Sequence, residues 1–151
     1  MKLAEALAMR SDLQKRASQL QNRLLNNAKV QEGEKPSEDP QLLLAELSEV
    51  MTQLEDLITR VNLTNSRTVD GGQPLTALLS RRDCLSRRVE ILRSFLSSAS
   101  SLVSRSTRGE VKVFSTVDVP ALQKEVDSLS KELRQLDTRI QGLNWTTDLM
   151  E

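Results

Sequence analysis

The chain has 151 residues, 38% of them hydrophobic and 28% charged, with 21 basic and 21 acidic side chains. That balance excludes a disordered polyelectrolyte and any global field drawing the molecule to nucleic acid or an anionic membrane. There is no His, and Cys84 is the single cysteine, so the commonest general base and an internal disulfide are both absent.

The N-terminal residues do not read as a signal peptide, because Glu5 and Arg10 interrupt the apolar region one would need. Apolar residues then recur in steps of three and four: Leu3, Ala6, Arg10, Leu13, Ala17, Leu20, Leu24. This spacing places them on one helix stripe, the a/d seam of a heptad. It predicts a helix over about 3–28, frayed at Asn26 and Asn27. Gly33 and Pro36 then break the chain.

Asp39-Pro40 is a helix start: Asp39 accepts from the first free amides, and Pro40 needs no N–H at the first helical position. The second helix is expected over about 40–65. It carries two overlapping seams. One runs Leu44, Leu47, Met51, Leu54, Ile58, Val61; the other runs Leu43, Leu47, Val50, Leu54, Leu57, Val61. Two seams mean a wide apolar face and more than one neighbour.

Asp70-Gly71-Gly72-Gln73 supplies the positive φ of a tight turn or short hairpin, so a β element is expected at about 67–75. A third helix follows over about 75–105, with the seam Leu75, Leu78, Arg82, Leu85, Val89, Leu92, Leu96, Ala99, Val103. Residues 110–117 alternate Val111, Val113, Ser115, Val117 against Lys112, Phe114, Thr116, which predicts a strand pairing with Arg67–Val69. Asp118-Val119-Pro120 starts the fourth helix, over about 119–143, with Leu122, Val126, Leu129, Leu133, Leu136, Ile140 and Leu143 on its seam.

The expected fold is mainly α. Four long amphipathic helices form one domain over 1–151, as a bundle or antiparallel hairpins, with a small β element between the halves. Two Phe, one Trp and no Tyr leave the core aliphatic. No apolar run approaches the roughly 20 residues of a membrane span. The simplest setting for a lone thiol is a reducing cytoplasm.

Candidate functional residues are arginines in the wrong place. Arg10 and Arg82 occupy seam positions. A guanidinium facing a helix interface needs a carboxylate partner, an escape to solvent, or an anionic ligand. Arg105 and Arg108, within Arg105-Ser106-Thr107-Arg108-Gly109, form a second donor cluster suited to a phosphate-bearing ligand. Trp145, between Asn144 and Thr146, either stacks on a base or sugar or plugs the bundle end. Charge is segregated as well. Residues 81–108 hold seven arginines against Asp83 and Glu90, and residues 32–56 hold eight acids against Lys35. Either helices two and three lie side by side, in one chain or across two, or the arginines form a basic surface for an anionic ligand. Catalytic-loop and metal motifs are absent from the sequence, and no cofactor is implied.

The strings Asn27-Ala28-Lys29-Val30-Gln31-Glu32-Gly33-Glu34, Glu38-Asp39-Pro40, Asn62-Leu63-Thr64-Asn65, Arg81-Arg82-Asp83, Thr116-Val117-Asp118-Val119 and Leu143-Asn144-Trp145-Thr146-Thr147-Asp148-Leu149 span nearly the whole chain. On these the chain resembles the septicolysin-like family, small helical proteins of bacteria and their phages. The family name implies a haemolysin. Phage biology offers an analogy, the small helical sponge that binds nucleotide-derived immune signals without cleaving them.

Three functional readings follow. The first is a non-enzymatic homo-oligomer that sequesters a small anionic, nucleotide-like ligand in arginine-lined pockets, in the host cytoplasm if phage-encoded. The second is a structural or adaptor protein whose seams bind a partner protein. The third is a membrane-active, cytolysin-like protein. Ligand identity, oligomer number and helix pairing are not encoded in heptads of mixed Leu, Ala and Val.

Overall fold

The computed structural model describes residues 1–101 and 111–151. Four helices dominate them: α1 (Leu3–Asn26), α2 (Pro40–Arg67), α3 (Leu75–Ser100) and α4 (Val119–Thr146). Between α2 and α3 lies a two-residue hairpin, β1 (Val69–Asp70) paired antiparallel with β2 (Gln73–Pro74). The mainly α fold with a small hairpin is therefore as the sequence indicates. Gly71 (φ 57°) and Gly72 (φ 79°) make the turn in the left-handed region that glycine enters without a Cβ clash.

Three element boundaries follow from local chemistry. The Asp39 side chain accepts from Gln41 N–H at 2.9 Å, with Pro40 opening α2. The Asp118 side chain accepts from Ala121 N–H at 3.1 Å at the start of α4. Asn27 does not fray α1, contrary to expectation. It is buried, its Nδ2 donates to the Arg23 carbonyl at 2.8 Å, and its Oδ1 accepts from Glu38 N–H at 3.0 Å. One short side chain thus satisfies an end-of-helix carbonyl and anchors the returning loop.

The expected strand over 110–117 is corrected. Residues 111–117 take no strand conformation, and Val111, Val113 and Phe114 are exposed. Its proposed partner is unavailable, because α2 continues to Arg67 and Val69 pairs with Pro74. Alternation supplies a face, but a strand persists only where another strand completes its ladder. Glu110, Arg105, Arg108 and the predicted end of the third helix lie outside the described residues.

The chain divides into two compact units, Met1–Pro74 with Gly142–Glu151, and Leu75–Gln141. In the first, α1 and α2 run antiparallel, as the pairs Arg23–Glu38 and Arg16–Glu46 show. Its core is Leu3, Ala6, Leu13, Leu20, Leu43, Val50, Leu54, Leu57, Val61 and Leu149. The C-terminal tail closes this unit. Leu3 N–H donates to the Thr147 carbonyl and Leu149 N–H to the Met1 carbonyl, both at 2.9 Å, and Lys2 Nζ meets Asp148 at 2.8 Å.

In the second unit α3 and α4 run antiparallel, joined by Arg81–Glu132 and Arg88–Glu125. Its core is Leu75, Leu78, Leu85, Val89, Leu96, Val126, Leu136 and Ile140. Both cores are aliphatic. Each fully buried Leu or Ile contributes roughly 1.5–3 kcal/mol.

The two seams of α2 have different fates. The offset seam is the core: Leu43, Val50, Leu54, Leu57 and Val61 are buried. The members belonging only to the other seam are not buried. Leu44 remains 47% exposed and Met51 48% exposed. A shift of one residue is a rotation of about 100°, so only one stripe can face α1 squarely.

Candidate functional site

Arg82 enters on α3, between the buried Leu78 and Leu85. Its Nε and Nη2 both donate to Asp83 Oδ1 at 3.1 Å, and its Nη1 lies 3.9 Å from Asp137 Oδ1 on α4. The side chain is 31% exposed, so it leans from the seam toward water. With Asp83, Ser86, Leu133, Arg134 and Asp137 it lines a shallow cleft of about 390 Å³. Two guanidinium groups face two carboxylates there, so the cleft carries no excess positive charge for an anion. Arg134 and Asp137 escaped the sequence reading, because a heptad does not state which residues face each other across a helix pair.

Arg10 lies on α1 in the other unit, half-buried between Ala6 and Leu13. Among the described residues it makes no hydrogen bond or ion pair. Asn144 is buried, whereas Trp145 is 64% exposed, so the indole does not plug a bundle end. The Thr146 hydroxyl donates to the Gly142 carbonyl at 3.0 Å, a bond within its own helix, and Lys2 Nζ donates to the Thr146 carbonyl at 3.2 Å. Arg10 and Asn144–Thr146 thus belong to the first unit and Arg82 to the second, while Arg105 and Arg108 lie outside the described residues.

The segregated charge is matched inside each unit. Glu38 and Glu46 take Arg23 and Arg16; Arg81 and Arg88 take Glu132 and Glu125. The hydrogen bond from Arg23 holds the Glu38 carboxyl below the usual glutamate range, and bonding to Glu38 raises Arg23. The hydrogen bond from Lys2 likewise lowers Asp148.

The other feature with recognition chemistry is apolar and faces outward. On α2, the exposed Leu44 and Met51 and the half-buried Ile58 recur every seven residues, with Glu55 one turn from Met51. On α3, Ile91 (53% exposed) and Phe95 (45% exposed) extend from the exposed Cys84, among Arg81, Arg87 and Arg88. Asp83, Cys84, Arg87, Arg88, Ile91 and Leu92 border a shallow, mostly apolar groove of about 470 Å³, with Arg87 paired to Glu90 and Arg88 to Glu125. Ile91 and Phe95 were also missed from sequence. The available signal was an apolar i, i+4 pair one residue off the seam Leu85–Val89–Leu92–Leu96. Among the described residues, no helix is long and apolar enough to cross a membrane, and no group of three or more His, Cys, Asp or Glu could hold a metal ion.

Comparison with known proteins places this architecture. A family of unknown function, DUF6847, matches residues 10–149. The chain belongs to the DUF6847 family. It is similar to a functionally unknown conserved protein from Corynebacterium diphtheriae, whose crystal structure covers 99% of both chains at 43% identity and a TM-score of 0.94. No curated protein matches. DUF6847 membership thus brings a fold and a solved relative.

Proposed function

We propose that this protein is a non-enzymatic helical interaction module, a scaffold or adaptor that docks a helix of another polypeptide chain. The observation that carries this reading is the outward seam of α2, with Leu44 and Met51 about half exposed while the offset seam fills the core. Apolar side chains at seven-residue spacing on one helix are the form an amphipathic helix recognises. The ion-paired arginine of the α3–α4 cleft is a structural group on this reading.

A second reading keeps the anion pocket. Arg10 favours it, because a half-buried guanidinium with no partner among the described residues is suited to a phosphate or carboxylate. In that case a nucleotide-like ligand is held at a face that includes Arg10.

Native mass spectrometry of gently purified protein separates the two. A complex containing a second polypeptide, of the same or another kind, and losing it on Met51→Glu supports the interaction module. A stoichiometric phosphate-bearing molecule, lost on Arg10→Ala, supports the anion pocket. A bare single chain at tens of micromolar contradicts both.

A further inference from the structure

We propose that α4 carries a joint at Gly142–Thr146, a helical turn that opens and recloses in the folded protein while the tail beyond it stays clasped. The inference stands apart from both readings of function.

α4 is shared between the two compact units: residues 119–141 belong to the second and residues 142–146 to the first. Its body is held by Val126, Leu136 and Ile140, all buried in the α3–α4 core. The chain beyond it is held by a clasp of three backbone donors. Leu3 N–H meets the Thr147 carbonyl, Leu149 N–H the Met1 carbonyl and Met150 N–H the Thr64 hydroxyl. Between Ile140 and Leu149 no apolar side chain is buried. Leu143 is half-buried, Trp145 is exposed, and the buried side chain of this stretch is the polar Asn144. A stretch with few buried apolar contacts, set between two well-packed ones, is where a fold opens locally.

Two features weaken the turn further. Gly142 is a glycine that neither conformation nor packing requires. Its φ is not positive, and a Cβ added there meets nothing within 4 Å beyond its own helix backbone. Alanine fits the same place, and glycine disfavours a helix interior by about fivefold relative to alanine. The Thr146 hydroxyl lies 3.0 Å from the Gly142 carbonyl and 3.4 Å from the Leu143 carbonyl. It competes for the carbonyls that close this turn, an arrangement that bends helices. Opening here releases the N–H groups of Trp145, Thr146 and Thr147 and breaks neither core.

Native-state hydrogen exchange on the full chain, followed by NMR at urea concentrations below the unfolding transition, tests the joint. Fraying inward from the tail gives a different profile, because the clasp then opens before the turn. The expected profile has its minimum in the middle. Amides 145–147 exchange roughly tenfold faster than amides 136–140, and roughly tenfold faster than those of Leu3, Leu149 and Met150, at rates that low urea leaves unchanged. Gly142→Ala, which has open space for its methyl group, slows amides 145–147 about fivefold. Protection that falls steadily from Ile140 to Met150, uniform protection across the segment, or a fast turn that Gly142→Ala does not slow overturns the inference.

Discussion

The Thr64 hydroxyl ties the C-terminal tail to α2: it accepts from Met150 N–H at 3.0 Å and donates to the Arg60 carbonyl at 2.8 Å. Thr64 is fully buried, and Arg60 Nε adds a bond to the Met150 carbonyl at 3.0 Å. The tail therefore has backbone partners at Met1 and Leu3 and side-chain partners on α2. Thr64→Val keeps the shape but strands the Met150 N–H. A loss of about 1–3 kcal/mol is expected in urea denaturation. Native-like stability in the Val variant would show that the tail contributes nothing.

The two seams of α2 give a paired test. Leu57 is 3% exposed, and Leu57→Ala is expected to cost about 2–5 kcal/mol. Met51→Ala, on the outward seam, is expected to fall within about 0.5 kcal/mol of the parent when measured on dilute, unassociated protein. Equal costs would mean that both seams are core.

Which seam is buried was not legible in the sequence, because Leu47, Leu54 and Val61 serve both. The choice is made by α1, through Leu13 and Leu20 and through Arg16, which holds Glu46 on α2, while Arg23 holds Glu38 in the connection just before it. Helix starts were legible, since Asp39-Pro40 and Asp118 act within three residues. The Gly71-Gly72 turn was legible for the same reason. The closure of the tail onto Met1–Leu3 joins residues at opposite chain ends and leaves no local pattern. Of the candidate site, the anomaly of Arg82 was legible, but its partner Asp137 was not, because pairing across α3 and α4 depends on register.

The Arg23–Glu38 pair predicts a pH effect of definite sign. The Glu38 carboxyl is lowered by its hydrogen bond from Arg23, so its contribution is present above the unfolded glutamate value, about 4.3. It is lost as the pH falls through the lower folded value. The Tm difference between the parent and Glu38→Gln is expected to be largest near neutrality and to shrink steadily below pH about 4. A difference that grows on acidification would reverse the assignment. The pair is half-exposed, so its contribution is modest.

Arg10 distinguishes structure from ligand binding by stability alone. Arg10→Leu removes a half-buried charge that has no partner among the described residues and completes the apolar seam. It is expected to stabilise the unliganded protein by up to about 1 kcal/mol in thermal unfolding. A substantial loss would mean that the guanidinium is held by interactions the seam requires.

The central claim is that the outward seam of α2 is a docking surface, and sedimentation velocity tests it most directly. Parent protein and Met51→Glu are compared from about 1 to 100 μM, a range that brackets contacts of micromolar affinity. The account predicts concentration-dependent association of the parent, abolished in Met51→Glu, with unchanged far-ultraviolet circular dichroism. A parent that associates identically with and without the substitution would contradict it.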